Sequence, residues 1–335
     1  MSGLVAAPSD ALMRAVVIRA FGGPEVLRAE YVPRPATAPG STLIRVARAG
    51  VNYFDTERRA SWRASELPVI LGGEVAGRRL SDGQRVVGLI EAGTGGYAEY
   101  AAVPSEFAVP IPDGVSDRAA LAVLVQGLTA WYLLVKAARV EAGESVVITA
   151  AAGGVGSLAI QVAKWLGATR VIAIASTEAK RRSALELGAD VALDSAPAGL
   201  TERVRLANGG AGVDLVLESV AGPIVDALLD TLVTGGRLVA YGQASGSSNT
   251  VSVDRLMGAS IGVLGFWLTP YLADRAATRR VIETLLAAVA EGRLRVREGP
   301  SFLIAHARHA HELIGAGASV GKVTLAADEA AWAGR

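Results

Sequence analysis

Residues 146–167 read VVITAAAGGVGSLAIQVAKWLG. An apolar run feeds a glycine cluster, and a second apolar run follows at a different spacing. Residues 145–149 predict a strand. Residues 154–166 predict a helix with Val155, Leu158, Ala159, Val162, Ala163 and Leu166 on one face. The turn between them is A-A-G-G-V-G, with Ala151 where the usual fingerprint G-x-G-x-x-G has its first glycine. A helix entered this way leaves backbone N–H groups without intrahelical partners at the positive end of its macrodipole, and anions bind there. Bulky side chains would hold a diphosphate off, and the last glycine lets helix and strand pack closely. An isolated glycine cluster is an ordinary turn, but here both flanking elements are present. Ala152, Gly153, Gly154, Val155 and Gly156 are therefore expected to bind a dinucleotide.

The rest of the chain fits this frame. Strands are predicted at 171–175, 191–193, 213–218, 236–241 and 262–266. Helices are predicted at 179–187, 201–207, 223–232 and 276–291. Strands alternating with helices imply a doubly wound parallel sheet covered on both faces, hence an α/β fold. The first third differs. Short valine-rich pieces at 14–20, 41–49, 85–90 and 97–103 are separated by glycine and proline, as in a compact, mostly antiparallel β region. Residues 117–139 predict one helix, and 322–326 a last strand.

Which dinucleotide binds turns on the end of the second strand, IAIASTEAKRR. An acidic residue there would hold the ribose hydroxyls of NAD. Ala175 takes that place, followed by Ser176, Thr177, Lys180, Arg181 and Arg182. Hydroxyls and a cation suit a 2′-phosphate, which a carboxylate would repel, so NADPH is expected over NADH. Glu178 is expected to point to solvent. The same lysine and arginines would also serve as a solvated helix face.

Composition removes several function classes. With 33 basic and 32 acidic side chains, the chain gives no electrostatic reason to expect nucleic acid as a partner. Without cysteine it has no disulfides, no thiolate catalysis and no cysteine-held metal. Uncharged stretches at 119–135, 146–163 and 256–273 are long enough to suggest membrane spans. Their internal glycines, Gln126, Thr129 and Pro270 fit buried elements of a soluble protein better. The opening MSGLVAAPSDAL does not resemble a signal peptide, so a cytoplasmic location is expected.

Motifs along residues 13–328 resemble the medium-chain dehydrogenase/reductase superfamily, and within it the zinc-independent, zeta-crystallin-like quinone oxidoreductases. In order they are GVNYFDT at 50–56, GGEVAG at 72–77, GQRVVG at 83–88, GGYAEYAAVP at 95–104, PDGVSDRAALAVLVQGLTAW at 112–131, AAAGGVG at 150–156, GGRLVAYGQASG at 235–246, GFWL at 265–268 and GKVTL at 321–325. The resemblance implies a GroES-like substrate domain at 13–125 and 293–335, a Rossmann NADP-binding domain at 126–292, and an active site in the cleft between them. It also implies a homodimer through the Rossmann sheet. Zinc-dependent relatives carry a histidine in a G-H-E run, where this chain reads Gly72-Gly73-Glu74, and their structural-zinc cysteines are absent as well. That argues for no metal and against an alcohol dehydrogenase.

The chemistry left is hydride delivery from NADPH to a small-molecule substrate already made electrophilic by conjugation: a quinone, an enone or an unsaturated thioester. The resemblance places Asn52 and Tyr53 on the loop facing the nicotinamide, able to donate to a carbonyl oxygen, with Asp55 orienting that loop. Plain loop packing is the alternative for this pair. Thr129 is expected beside the nicotinamide ring, or else bonded back to its own helical turn. Tyr241, Gly242 and Gln243 end a Rossmann strand, while Phe266, Trp267 and Leu268 would close over cofactor or substrate. Lys322 is expected near the cofactor, with an exposed lysine as the alternative. Two departures bear on the pocket. Glu57 replaces an aromatic, with Trp62 or Arg63 near a usual tyrosine, and the segment between GEVAG and GQRVVG is short. His306, His309 and His311 are the only histidines, on a partly exposed helix or, less simply, at a metal. An enoyl-thioester reductase and a non-catalytic NADPH-binding protein remain as alternative functions.

Overall fold

The computed structural model describes residues 12–61, 67–91 and 93–327. Within them the chain forms two compact units. One comprises 12–125, 275–290 and 298–327; the other comprises 126–274 and 291–297.

The first unit is built on a seven-stranded sheet. Its order is Glu298–Leu303, Lys322–Ala326, Ser41–Gly50, Glu74–Arg79, Arg85–Leu89 and Ala108–Pro110, with Tyr100–Pro104 also pairing Ser41–Gly50. All these pairings are antiparallel except that of the first two strands. In Ser41–Gly50, Ile44 and Val46 point inward while Arg45 and Ala47 point out. An extra residue between Val46 and Arg48 breaks the register against Glu74–Arg79, so the phase shifts and Ala49 and Gly50 are buried. This delivers the following Val51–Tyr53 segment from inside the unit. The strands Glu74–Arg79 and Arg85–Leu89 are joined directly by a tight turn, which is how the shortened segment is accommodated. A three-stranded sheet of Arg28–Pro33, Leu12–Ile18 and Val69–Ile70 closes over Met13, Ala15, Val17 and Ala98.

The second unit is a six-stranded parallel sheet in the order Val191–Leu193, Arg170–Ile174, Ser145–Ile148, Val213–Glu218, Leu232–Ala240 and Gly262–Gly265. Strand order reverses between Ser145–Ile148 and Val213–Glu218. The glycine turn leaves the carboxyl end of the first of these, where doubly wound sheets bind ligands. Val147, Ile172, Ile174, Val216 and Leu238 form the core with Leu200, Ile224 and Leu228.

Three expectations are corrected. Helix Gly154–Trp165 is not one-faced, because every residue from Gly156 to Ala163 is buried. It is a central helix, apolar nearly all round. The run at 117–139 is not one regular helix. Ser116 caps Asp117–Val123 by accepting from the Ala119 N–H at 3.0 Å, and Leu124 breaks the helix with ψ −90°. Val125–Tyr132 follows, then a wider π turn over Leu133–Ala138 that Arg139 ends in left-handed conformation, φ 53°. This run has the length and apolarity of a membrane span, yet two-thirds of its most apolar window is buried inside the protein. Finally, helix Arg275–Ala290, expected with the parallel sheet, packs on Asp117–Val123 and the Ser105–Phe107 turn of the first unit. Residues 291–297 return to the second unit, where the Arg295 N–H donates to Gln161 at 2.8 Å.

Candidate active site

In the second unit the chain enters its central helix through Ala150, whose φ of 45° is left-handed. Its carbonyl accepts from the Gly153 N–H at 2.8 Å. Gly153 is extended at the helix start, and no side chain caps the first turn. The glycines have distinct roles. A Cβ on Gly156 would lie 2.6 Å from the Ala150 carbonyl oxygen and 2.7 Å from Ala151 Cα, so this glycine permits the close helix–strand contact. A Cβ on Gly154 would lie 2.1 Å from the Gln126 side chain. That bareness seats a glutamine of the protein itself, a reason the sequence did not reveal. Ala152 is buried and Val155 half-buried. A helix start whose first turn no side chain caps fits a diphosphate.

At the end of the neighbouring strand, Ala175 is buried while Ser176 and Thr177 are exposed. Thr177 caps helix Glu178–Glu186 by accepting from the Lys180 N–H at 3.3 Å. Glu178 is 78% exposed and pairs with Arg182 at 2.9 Å, directed away as expected. Arg181 pairs with Asp194 at 3.0 Å and reaches the carbonyls of Ala175 and Ser176. Lys180 is half-buried in this setting. Hydroxyls and lysine without a carboxylate at Ala175 fit a 2′-phosphate.

Tyr241 and Gly242 follow strand Leu232–Ala240. Burial pushes the Tyr241 phenol up to about 12, opposed by a hydrogen bond with Ser219. Beside it stands a group missed from the sequence. Glu218 is buried and accepts from the Val220 N–H at 2.6 Å and the Ala221 N–H at 3.1 Å, and burial raises its carboxyl. These bonds hold Ala221 (φ 64°) and Gly222 (φ 78°) in a left-handed turn, which Asn249 clamps through both the N–H and the carbonyl of Gly222. Phe266 is tied down within the second unit. It is buried and stacks on Tyr271 at 5.0 Å, which stacks on Tyr132 at 5.5 Å. This three-ring stack anchors a segment in which Trp267 is 47% exposed and Leu268 half-buried. Thr129 is buried in helix Val125–Tyr132.

In the first unit, Asn52 immediately precedes helix Tyr53–Ser61. Its Nδ2 donates to Glu74 Oε1 at 2.8 Å, and its Oδ1 accepts from Lys322 Nζ at 2.7 Å. Lys322 also pairs with Glu74, whose second oxygen accepts from the Val125 N–H at 2.9 Å. Lys322 is 1% exposed and Glu74 fully buried, so the exposed-lysine alternative fails. The ammonium is committed to the first unit's own framework. The Asn52 amide, expected to donate to substrate, is likewise engaged. Asp55 does orient the loop, because its Oδ2 accepts from the Asn52 N–H at 2.8 Å. Burial pushes its carboxyl up to about 6, opposed by that bond and by Lys322. Tyr53 is 38% exposed. Trp62 and Arg63 lie outside the described residues. His306 and His309 are exposed while His311 is buried, so the three do not converge. Among the described residues no His, Cys, Asp or Glu cluster could hold a metal.

Two family models match the chain: the alcohol dehydrogenase GroES-like domain over residues 38–113 and the zinc-binding dehydrogenase over residues 154–287. A probable quinone oxidoreductase of Schizosaccharomyces pombe is 33% identical over 306 residues, covering 89% of this chain and 92% of the relative. A 2-haloacrylate reductase of a Burkholderia species is 31% identical, covering 94% and 99%. Among solved structures, a mycobacterial protein complexed with NADPH is 34% identical with a TM-score of 0.88, covering 94% of this chain and all of the other.

Proposed function

The chain belongs to the medium-chain dehydrogenase/reductase superfamily, in its quinone oxidoreductase branch, and on that premise we propose that it is an NADPH-dependent reductase of quinones or other conjugated carbonyl compounds, working without zinc. The observation that carries this reading is the uncapped start of helix Gly154–Trp165 at the switch point of the parallel sheet. Ser176, Thr177 and Lys180 support NADPH over NADH, as does the NADPH bound to the mycobacterial relative. A haloacrylate, the substrate class in the Burkholderia relative's name, is itself an alkene conjugated to a carboxylate.

Residues 152–156 would hold the diphosphate, and Ser176, Thr177 and Lys180 the 2′-phosphate. Bound NADPH supplies a hydride for the electron-poor carbon of the acceptor. The chain's own part is to orient that acceptor and stabilise charge growing on its oxygen. Tyr53, exposed at the start of its helix, is the available hydroxyl donor. A hydrogen-bond role suits it better than full proton transfer. Asn52 serves as the fixed base of this turn. The zinc ligand position of related dehydrogenases is Gly73, which offers no donor side chain.

We also propose a homodimer through the edge strand Gly262–Gly265, whose Leu264 is 41% exposed, as are Val253 and Met257 of the preceding helix Val253–Ala259 at 67% and 66%. Loss of reduced-nicotinamide absorbance with a quinone, a cyclic enone and crotonyl-thioester tests the activity. Turnover with the first two supports the reading; turnover with the thioester alone would make the protein an enoyl-thioester reductase. NADPH binding without turnover would indicate a non-catalytic protein.

A further inference from the structure

Four side chains from distant parts of the first unit meet in its interior: Asp55 and Arg59 of helix Tyr53–Ser61, Tyr97, and His311 of helix Ala307–Gly315. They are 2%, 9%, 0% and 1% exposed. Arg59 Nη1 lies 3.3 Å from His311 Nδ1, and His311 Nε2 lies 3.1 Å from the Tyr97 hydroxyl. The buried Asp55 carboxylate, near the same ring, accepts from the Asn52 N–H at 2.8 Å.

The chemistry of Arg59 fixes the direction of both bonds. A guanidinium only donates, so Nδ1 of His311 carries the lone pair and Nε2 the proton. Nε2–H then donates to the Tyr97 oxygen. The imidazole is fixed in one neutral tautomer. Burial and the Arg59 charge keep it neutral, pushing its pKa down to about 3. The surrounding charges are Lys322, Glu74 and Arg58 around Asp55, and Glu25 and Glu312 around Arg59. The Tyr97 ring stands edge-on to the imidazole at 5.8 Å and 89°. It also packs where a Cβ on Gly72 would lie 2.5 Å away, so it has little room to move.

We propose that Arg59, His311 and Tyr97 form a one-way hydrogen-bond chain that anchors helix Tyr53–Ser61, that this helix through Asp55 holds the Asn52–Tyr53 turn in position for the acceptor, and that all four are positioning residues of the site. This rests on the function proposed above for that turn. Asp55 grips the backbone of Asn52, while Glu74 and Lys322 grip its side chain. A buried hydrogen-bonded network of this kind rigidifies what it touches. A displacement of the turn by about 1 Å is enough to cost about 100-fold in rate.

Tyr97→Phe keeps the ring and removes the hydroxyl that ends the chain. The expected result is a fall in kcat of about 10-fold or more, with the Kd for NADPH, followed by cofactor fluorescence, within about two-fold of wild type. His311→Gln preserves the polarity, amide toward Tyr97 and carbonyl toward Arg59, and is expected to retain most of kcat; His311→Leu is expected to behave like Tyr97→Phe. Unchanged kcat and KM in Tyr97→Phe would overturn the proposal. So would equal losses in His311→Gln and His311→Leu. A readout independent of activity is the ring tautomer of His311 in the wild-type protein, from long-range 1H–15N spectra. A neutral ring protonated on Nε2 at pH 6 is expected; a proton on Nδ1 would overturn the proposal. If wild type turns over none of the acceptors, the functional reading fails, and the tautomer still decides whether the chain exists.

Discussion

Lys322→Met isolates the buried charge that anchors Asn52 in the first unit. The side chains of Lys322 and Glu74 are 1% and 0% exposed, so neither charge is shared with solvent. The substitution keeps most of the side-chain volume and removes the ammonium. Glu74 then keeps only the Asn52 amide at 2.8 Å and the Val125 N–H at 2.9 Å. Breaking a buried ion pair by deleting one partner costs about 3–5 kcal/mol, because the surviving charge is left uncompensated. That is a large share of the roughly 5–15 kcal/mol by which a protein is stable. The chain has two compact units, so one global melt would blur the effect. Hydrogen–deuterium exchange of peptides covering Ser41–Gly50, Glu74–Arg79 and Lys322–Ala326 reads it locally. Their protection should fall by about 3 kcal/mol or more, while peptides of the parallel sheet change little. Glu74→Gln keeps an acceptor for the Val125 N–H, so the double variant Glu74→Gln/Lys322→Met should cost less than the two single changes together, by about 2 kcal/mol. Additivity within about 0.5 kcal/mol would refute the coupled pair as the anchor of Asn52.

Three further outcomes are expected. Below its ordinary pKa of 6.5 His311 stays neutral down to about 3, so its contribution to stability is complete above pH 6.5 and is lost as pH falls toward 3. That is about 5 kcal/mol in total. Asp55, raised from 3.8 to about 6, acts in the opposite sense between those values and offsets about 3 kcal/mol of it; between pH 7 and 4 the two nearly cancel in wild type, so denaturant titrations over that range should show His311→Gln gaining about 3 kcal/mol relative to wild type, and parallel profiles would contradict this. Gly156→Ala places a Cβ 2.6 Å from the Ala150 carbonyl oxygen, so it should destabilise by about 1–3 kcal/mol and weaken NADPH binding in calorimetry by about 10-fold or more; an unchanged Kd would show that the turn does not hold the cofactor. Leu264→Arg charges the sheet edge and should shift sedimentation from dimer to monomer; a wild-type monomer would remove that proposal.

The parts of the molecule that sequence reveals are those whose cause is local. Strand Ser145–Ile148, the glycine turn and helix Gly154–Trp165 are consecutive, and their changing periodicity marks them directly. Glu178 turned to solvent follows from residues within one turn. Contacts across long separations were hidden. Asn52, Glu74 and Lys322 are 22 to 270 residues apart, and the lysine of GKVTL looks like any surface lysine until the fold buries it against a carboxylate. The glutamate of GGEVAG, in an otherwise small and apolar run, was the available signal. The same holds for Tyr97 and His311, 214 residues apart. The resemblance points to Phe266 as a residue closing over a ligand, and the ring stack with Tyr271 and Tyr132 that holds it had no signal in the sequence. The break at Leu124 has no proline or glycine to announce it.

The most direct measurement is a single turnover with NADPH carrying deuterium at C4 of the nicotinamide, tested with both epimers on a cyclic enone, and mass and NMR analysis of the product. Deuterium from one epimer on the carbon β to an intact carbonyl is the predicted result. Deuterium on the carbonyl carbon, giving an alcohol, or no transfer from either epimer despite bound cofactor, would contradict hydride delivery to a conjugated acceptor.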